Sequence, residues 1–396
     1  MIKLLSELKK IKKINLFLSF CLVASSIVVI PHGQEFYYMG IILLLCILLS
    51  MYKCRSQKSV PYILLLFECA LSSMVNLIFD YRLLAFALVI VICSPILYSE
   101  QIVKFREKYL MYSLMSFPIL MIAALYCYFK GINCFVMADG SIGSFMDFSA
   151  FFPHPMWLAA CCGLSNVVLA WLLFFSKNSF WGKCLCGLLL LMSVYLSVVS
   201  ASRSALVASL LSIIVFSFFK AGSIVKIIRV SVIASVVVLL TLPYYINSSE
   251  RMQEKFDGSE GKYGSRTAIV EVGLKHFEDT FIFGTGFAAS YSAENKLVVG
   301  RMESGSGWLS IMLQTGLIGL FIVLYIVNKS VKAILPYLRK DEKLQLFFFT
   351  FLFLCLHSVF EGYILTVGYY LCILFWMLLG YLSTYKDYIK THTVTG

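Results

Sequence analysis

Long apolar runs recur along this chain and constrain its fold more than any other feature. A transmembrane helix needs about 20 mostly apolar residues. Only 14% of the residues are charged, against about 25% in soluble proteins. We interpret twelve runs as spans, at residues 15–30, 36–52, 59–79, 83–99, 109–129, 155–175, 184–200, 204–219, 228–246, 307–327, 344–363 and 365–383. The sequence therefore predicts an all-α, polytopic integral membrane protein with about 12 transmembrane helices, forming one membrane domain over residues 1–396.

Lys and Arg are distributed unevenly between the segments that join these spans. An even number of spans places both termini on one side, and that side would hold 23 of the 33 Lys and Arg residues. Seven of the other ten lie in one long loop, where the positive-inside rule counts little. The rule predicts cytoplasmic N- and C-termini in the cytoplasmic membrane. The net charge of +12 thus reports topology and gives no reason to expect nucleic acid as a partner.

Two segments on the predicted outer side exceed the usual length of a connection, and loops beyond about 12–15 residues are usually functional or disordered. Residues 130–154 are rich in aromatic side chains and are expected to pack at the membrane interface. Residues 247–306, between spans nine and ten, are expected to carry short helices. In particular, Ser265 is a plausible N-cap for a helix over residues 267–279, with Arg266 in its first turn.

Two arginines on the predicted outer side are candidates for anion binding. Arg203 follows Ser202 and precedes Ser204 in a short polar interruption between two apolar runs. Arginine pairs with phosphate oxygens through its planar fork, and hydroxyl groups supply further hydrogen bonds. Arg266, at a helix start, lacks local support for its charge unless an anion binds there. The pair would suit a lipid diphosphate, although an arginine at this depth can also simply snorkel to the interface.

Proton-transfer candidates lie near the same predicted face. Glu303 is an isolated carboxylate two residues after Arg301, just before the chain re-enters the membrane, and it could act as a general base for a sugar hydroxyl. His154 stands between two prolines that stiffen its backbone. The alternatives are an exposed loop acid and a space-filling histidine.

Two further titratable residues, His357 and Glu361, lie four residues apart inside the predicted eleventh span. They are expected to pair on one helix face, either structurally or in a substrate cavity.

No cofactor or metal site is predicted. Nearly all of the 13 cysteines fall inside spans, without the spacing of a disulfide framework or a zinc site. The outer loops contain neither a Gly-rich phosphate loop nor a pair of acidic metal ligands. ATP hydrolysis and metal-dependent transfer from sugar nucleotides are therefore poor fits.

Several short motifs appear in a distinctive order on the predicted outer side. They are the segments 151–157 (Phe-Phe-Pro-His-Pro-Met-Trp), 202–206 (Ser-Arg-Ser-Ala-Leu), 264–266 (Gly-Ser-Arg), 283–287 (Phe-Gly-Thr-Gly-Phe), 308–309 (Trp-Leu) and 316–320 (Gly-Leu-Ile-Gly-Leu). In this combination the chain resembles the O-antigen polymerase and ligase superfamily of bacterial envelopes, best over residues 130–320.

The resemblance implies a GT-C-like, metal-independent glycosyltransferase that uses undecaprenyl-diphosphate-linked oligosaccharides at the outer face of the inner membrane. It implies that Arg203 and Arg266 hold the diphosphate, and we add Arg301, Ser202 and Ser204 as candidate binding residues. Membrane lipids, a flippase and chain-length regulator proteins are the implied partners.

Ligase members of the superfamily usually carry a His shortly before the Leu of the span-ten motif, and this chain has Gly305 there. The difference favours a polymerase that joins repeat units for an O-antigen or capsule. It leaves Glu303 as the first candidate base and His154 as the second. An O-antigen ligase and a lipid-linked oligosaccharide flippase or transporter stay open as alternatives, although no internal repeat relates the two halves as in many transporters.

Overall fold

The structure is a computed structural model that describes residues 12–53, 56–134, 148–174, 179–200, 202–221, 265–292, 294–300 and 305–393. These residues form α1 (Lys12–Ile27), α2 (Gly33–Leu49), α3 (Val60–Val75), α4 (Tyr81–Cys93), α5 (Glu100–Lys130), α6 (Pro155–Phe174), α7 (Phe180–Val199), α8 (Arg203–Ala221), α9 (Ser265–Thr280), β1 (Ala289–Tyr291), β2 (Leu297–Val299), α10 (Gly307–Ile334), α11 (Glu342–His357) and α12 (Tyr370–Thr393).

The chain is a helical membrane protein. Five of the described helical segments are long and apolar enough to cross a bilayer: Gln57–Val75, Glu100–Lys130, Pro155–Phe174, Phe180–Val199 and Gly307–Ile334. Each predicted span within the described residues overlaps one helix. The ninth predicted span, residues 228–246, lies outside the described residues, so the total of twelve stays a prediction.

Helix α12 forms the centre of the bundle. All its residues from Tyr370 to Tyr385 are buried, and it packs against α4, α5, α10 and α11. A helix that is apolar on every side has no face for water, and the burial of every side of α12 places it inside the bundle. Gly380 allows the closest of these contacts, because a Cβ there would lie 1.9 Å from the backbone oxygen of Cys93 on α4.

Helix α10 is broken at Gly316, whose φ of 66° and ψ of −170° only glycine tolerates. Residues 281–288, which follow α9, fill the break. The amide of Thr285 donates to Leu313 O at 2.8 Å, and the amide of Leu317 donates to Phe281 O at 2.8 Å. Backbone groups freed at membrane depth must find such partners. The outer segment is thereby fixed to the membrane bundle.

Side chains of α3 complete this junction from the other side. Ser72 Oγ donates to Gln314 O at 2.7 Å, and Asn76 Nδ2 donates to Gly284 O at 3.0 Å. The side-chain oxygen of Gln314 accepts the amide of Ala288 at 3.0 Å. Two of the motifs noted in the sequence, 283–287 and 316–320, thus form one packed unit.

The predicted eleventh span is wrong at its C-terminal end. Helix α11 ends at His357, and residues 358–369 form a largely buried, non-helical connection to α12. Glu361 therefore lies in a turn beyond the helix. The prediction that it shares a helix face with His357 is wrong. Non-helical backbone at this depth is tolerated where it is buried in protein or lines a cavity.

The predicted outer segment, 247–306, contains a β-hairpin that the all-α prediction does not include. Strand β1 pairs antiparallel with β2, with Ser290 opposite Val298. The predicted short helix is present as α9, whose described residues begin at Ser265. The hairpin and α9 both pack against α10.

The described ends of the first outer segment, 130–154, pack into the protein. Asn133 Oδ1 accepts the amide of Ser149 at 3.0 Å, and the amide of Val29 donates to Phe151 O at 2.9 Å. Phe148 and Phe152 are buried. These aromatic rings therefore lie within the protein rather than at its surface.

Replacing Gly316 with Ala should destabilise the protein strongly. The backbone conformation alone costs an L-residue about 1–3 kcal/mol, and a Cβ at this position would lie 1.9 Å from Ile282 O. We expect a clearly lower midpoint of thermal unfolding for the purified protein, followed by tryptophan fluorescence. Gly187→Ala is the matched control, since a Cβ there meets nothing within 4 Å. Equal midpoints for the two variants would contradict this account of α10.

Candidate functional site

Three helix ends come together at one face of the bundle, which we call the Arg203 face. Helices α6 and α8 begin there and α11 ends there, and the three helices pack against one another. Their terminal positions carry His154, immediately before α6, Arg203, the first residue of α8, and His357, the last residue of α11. The fold therefore gathers three of the residues noted in the sequence, although they are up to 203 positions apart.

Arg203 lies in a recess at this face. A Cβ on Gly163 of α6 would be 3.4 Å from the Cβ of Ala205 on α8 and 2.6 Å from the ring of Phe353 on α11. Gly163 comes eight residues after the start of α6, whereas Ala205 comes two after the start of α8. At 1.5 Å per residue, α8 begins roughly 9 Å deeper than α6. The Arg203 side chain is nevertheless exposed, so it is accessible within the recess.

The two serines predicted to assist Arg203 adjoin it. Ser202 Oγ lies 3.2 Å from Ser204 Oγ, and either hydroxyl can donate to the other. Ser202 is buried and Ser204 is half-buried. A hydroxyl pair of this kind at the start of a helix adds donors to the unpaired amides of the first turn, and such a helix start favours anions.

A cavity of about 260 Å³ opens between the start of α6 and the connection from α11 to α12. Titratable and aromatic side chains share its wall: His154, Trp157, His357, Glu361, Tyr363 and Tyr369. The rings of Phe353 and Tyr363 stack on His357 at centroid distances of 5.2 and 5.7 Å. A wall of aromatic rings with a few polar groups is typical of a site for a small organic group such as a sugar.

The proton position on His154 follows from a local hydrogen bond. The amide of Met156 donates to His154 Nδ1 at 3.1 Å. This bond occupies the Nδ1 lone pair, so the neutral imidazole carries its proton on Nε2. In that state Nε2 is a hydrogen-bond donor.

The start of α10 forms part of the same region. The amide of Gly307 donates to Ser358 O at 2.7 Å and to Glu361 O at 3.1 Å. The Trp308 indole donates to Cys355 O at 3.0 Å. The entry of the chain into α10 is thus bound to the connection that lines the cavity.

The structure gives less about the other predicted site residues. Arg266 is the second residue of α9, which packs against α10 where Gly273 meets Leu313. Arg301 and Glu303 lie outside the described residues, so their candidate roles stay predictions. Gly305, at the position of the ligase-type His, has a φ of 77°.

Sequence reasoning missed the cavity as a unit. It noted His154, His357 and Glu361 one by one, yet nothing in a single sequence links segments about 200 residues apart. Within the described part of the chain, no group of three or more His, Cys, Asp or Glu side chains could hold a metal ion.

Comparison with known proteins bears directly on this region. Residues 187–324 match the family model described as O-antigen ligase. The match spans most of α7, all of α8 and α9, the β-hairpin and the broken part of α10. A search of curated proteins finds no match. The matched segment contains Arg203, Arg266 and the junction at Gly316, and the match supports the resemblance of this part of the chain to the O-antigen polymerase and ligase superfamily.

Proposed function

We propose that this protein is a polysaccharide polymerase that joins undecaprenyl-diphosphate-linked repeat units at the outer face of the cytoplasmic membrane. The observation that carries the proposal is the exposed Arg203, which lies in the segment that matches the family and at the same face of the bundle as the aromatic, titratable cavity. The distribution of Lys and Arg supports an outer location for this face.

In this reaction the terminal hydroxyl of one lipid-linked repeat unit attacks the anomeric carbon of the glycan that a second lipid carrier holds. The bond between that carbon and the diphosphate oxygen breaks, and undecaprenyl diphosphate leaves. Arg203 and Arg266 bind the diphosphate as its negative charge develops, a role for which preorganised cations are effective. Ser202, Ser204 and Arg301 add hydrogen bonds, and neither a metal ion nor a nucleotide sugar takes part.

Glu303 serves as the general base in this proposal, and His154 serves as a hydrogen-bond donor. A base needs a free lone pair, whereas Nδ1 of His154 already accepts the amide of Met156. Glu303 precedes Gly307 by four residues, and the amide of Gly307 is bound to the connection that lines the cavity.

The residue at Gly305 supports a polymerase over a ligase. The position that carries a His in ligases has no side chain here that could transfer a proton. A ligase is the second candidate, because the matching family model bears that description.

Deletion of the gene tests the proposed reaction. We expect a gel of surface polysaccharide to lose the ladder above a single repeat unit, while one unit remains attached to its acceptor. Unattached long chains on the lipid carrier would instead indicate a ligase. Repeat units retained on the cytoplasmic face would indicate a flippase.

The arginines give a second prediction. Arg203→Ala and Arg266→Ala should each abolish chain extension at normal protein levels, and the Lys substitutions should restore it only partly because a point charge loses the bidentate geometry. The readout is the polysaccharide ladder. Lys296→Ala is the control, since this cation of the outer segment already pairs with Glu294 at 3.0 Å. Full extension in either Arg→Ala variant would remove that residue from the site.

His154 gives a third prediction. His154→Ala should slow the release of undecaprenyl diphosphate in isolated membranes by about 10²–10³, the usual effect of losing one donor to a developing charge. His154→Gln should retain part of the rate, because its amide can donate from near the Nε2 position. If His154→Gln is as slow as His154→Ala, a donated hydrogen bond is not what His154 contributes, and the donor role is wrong.

A further inference from the structure

A second cavity, of about 330 Å³, lies at the opposite face of the bundle. It is formed by the start of α3 and the ends of α10 and α12. Helix α10 begins at the Arg203 face, and its residues after the break, 317–334, rise about 27 Å toward this cavity. The cavity therefore lies near the far end of α10 from the candidate active site, and the predicted topology places it on the cytoplasmic side.

Four lysines line this cavity: Lys58, Lys329, Lys332 and Lys386. Lys58 Nζ pairs with Asp387 at 2.9 Å. Lys329 Nζ contacts the hydroxyl of Tyr325 at 3.2 Å, and in the described part of the chain neither Lys332 nor Lys386 has an acidic partner. Once Asp387 is counted, the side chains that line this cavity and their acidic partner carry three net positive charges. Such an arrangement favours an anion.

The floor of the cavity is a fixed set of buried hydroxyl groups. Ser383 Oγ lies 2.8 Å from the hydroxyl of Tyr62 and 2.6 Å from Ser330 Oγ, and all three side chains are buried. Lys58 Nζ also donates to Ser383 O at 2.8 Å. These bonds join α3, α10 and α12, so the cavity has a rigid polar floor.

Helices α3 and α10 present exposed apolar side chains near the cavity. Leu64 of α3 is 49% exposed and Tyr325 of α10 is 50% exposed. Each lies about one helical turn from the cavity wall, toward the middle of the membrane. A charged pocket that continues into an exposed apolar surface suits a molecule with an anionic head and an acyl chain.

We propose that this cavity binds the phosphate headgroup of an anionic phospholipid. Basic pockets between transmembrane helices on the cytoplasmic side are suited to such headgroups. The lysines repel the ammonium group of a zwitterionic lipid, so phosphatidylglycerol binds in preference to phosphatidylethanolamine. The proposal is independent of the reaction proposed above, because it concerns lipid binding at the other face.

Native mass spectrometry of the purified full-length protein in detergent tests this site. We expect bound phosphatidylglycerol at lipid concentrations where phosphatidylethanolamine does not bind. Lys329→Gln combined with Lys332→Gln should weaken phosphatidylglycerol binding by about tenfold or more, since each lysine near the headgroup contributes on the order of a fivefold factor. Millimolar inorganic phosphate should leave the lipid bound.

The matched control is Arg339→Gln combined with Lys340→Gln, which removes two exposed charges after the end of α10 without altering the cavity. Binding should change less than about twofold in this variant. Equal losses in the two double variants would show general surface attraction and overturn the proposal. Unchanged binding in the Lys329 and Lys332 variant would do the same, and displacement of the lipid by inorganic phosphate would assign the cavity to the free ion.

Discussion

The break in α10 at Gly316 is the constraint on which the rest of the structure depends. Two turns of an interrupted helix would leave amides and carbonyls without partners in a membrane, at a cost of several kcal/mol each. Residues 281–288 and the side chains of α3 supply those partners. A segment outside the membrane is thereby held against the bundle at one place, and α9 and the β-hairpin are positioned from there.

This junction explains how the proposed site can combine residues of the predicted outer segment with helix ends of the bundle. The backbone at Arg203 is fixed by the packing of α6, α8 and α11, and Arg266 belongs to α9, which packs on α10 close to the break. The proposed binding of a diphosphate between the two arginines needs both helices to be held before the substrate arrives, because the benefit of a preorganised site is lost if it must rearrange. The close packing at Gly273 and Gly316 holds the backbone of α9 in place against α10.

Much of the fold could be predicted from the sequence, because apolar runs report helices directly. Other features left weaker signals. The sequence does not show that α11 ends at His357, because apolar residues such as Ile364 and Leu365 continue after it. Gly316 is visible as a glycine, but a sequence does not show its φ. The three-residue strands of the hairpin are shorter than the alternation that identifies a strand.

The site could be predicted only in part. Arg203 is a candidate from the sequence because a cation on the predicted outer side departs from the positive-inside trend. The cavity that joins His154 to Glu361 depends on contacts between segments about 200 residues apart, which a single sequence does not contain. The proton position on His154 depends on one hydrogen bond from the amide of Met156, which only a structure shows.

The central claim is most directly tested with the purified protein in liposomes, supplied with an undecaprenyl-diphosphate-linked repeat unit and a metal chelator. The account predicts glycans lengthened by whole repeats, with one undecaprenyl diphosphate released for each new glycosidic bond. Movement of the lipid-linked repeat across the bilayer without bond formation would contradict it and would show that the protein is a transporter.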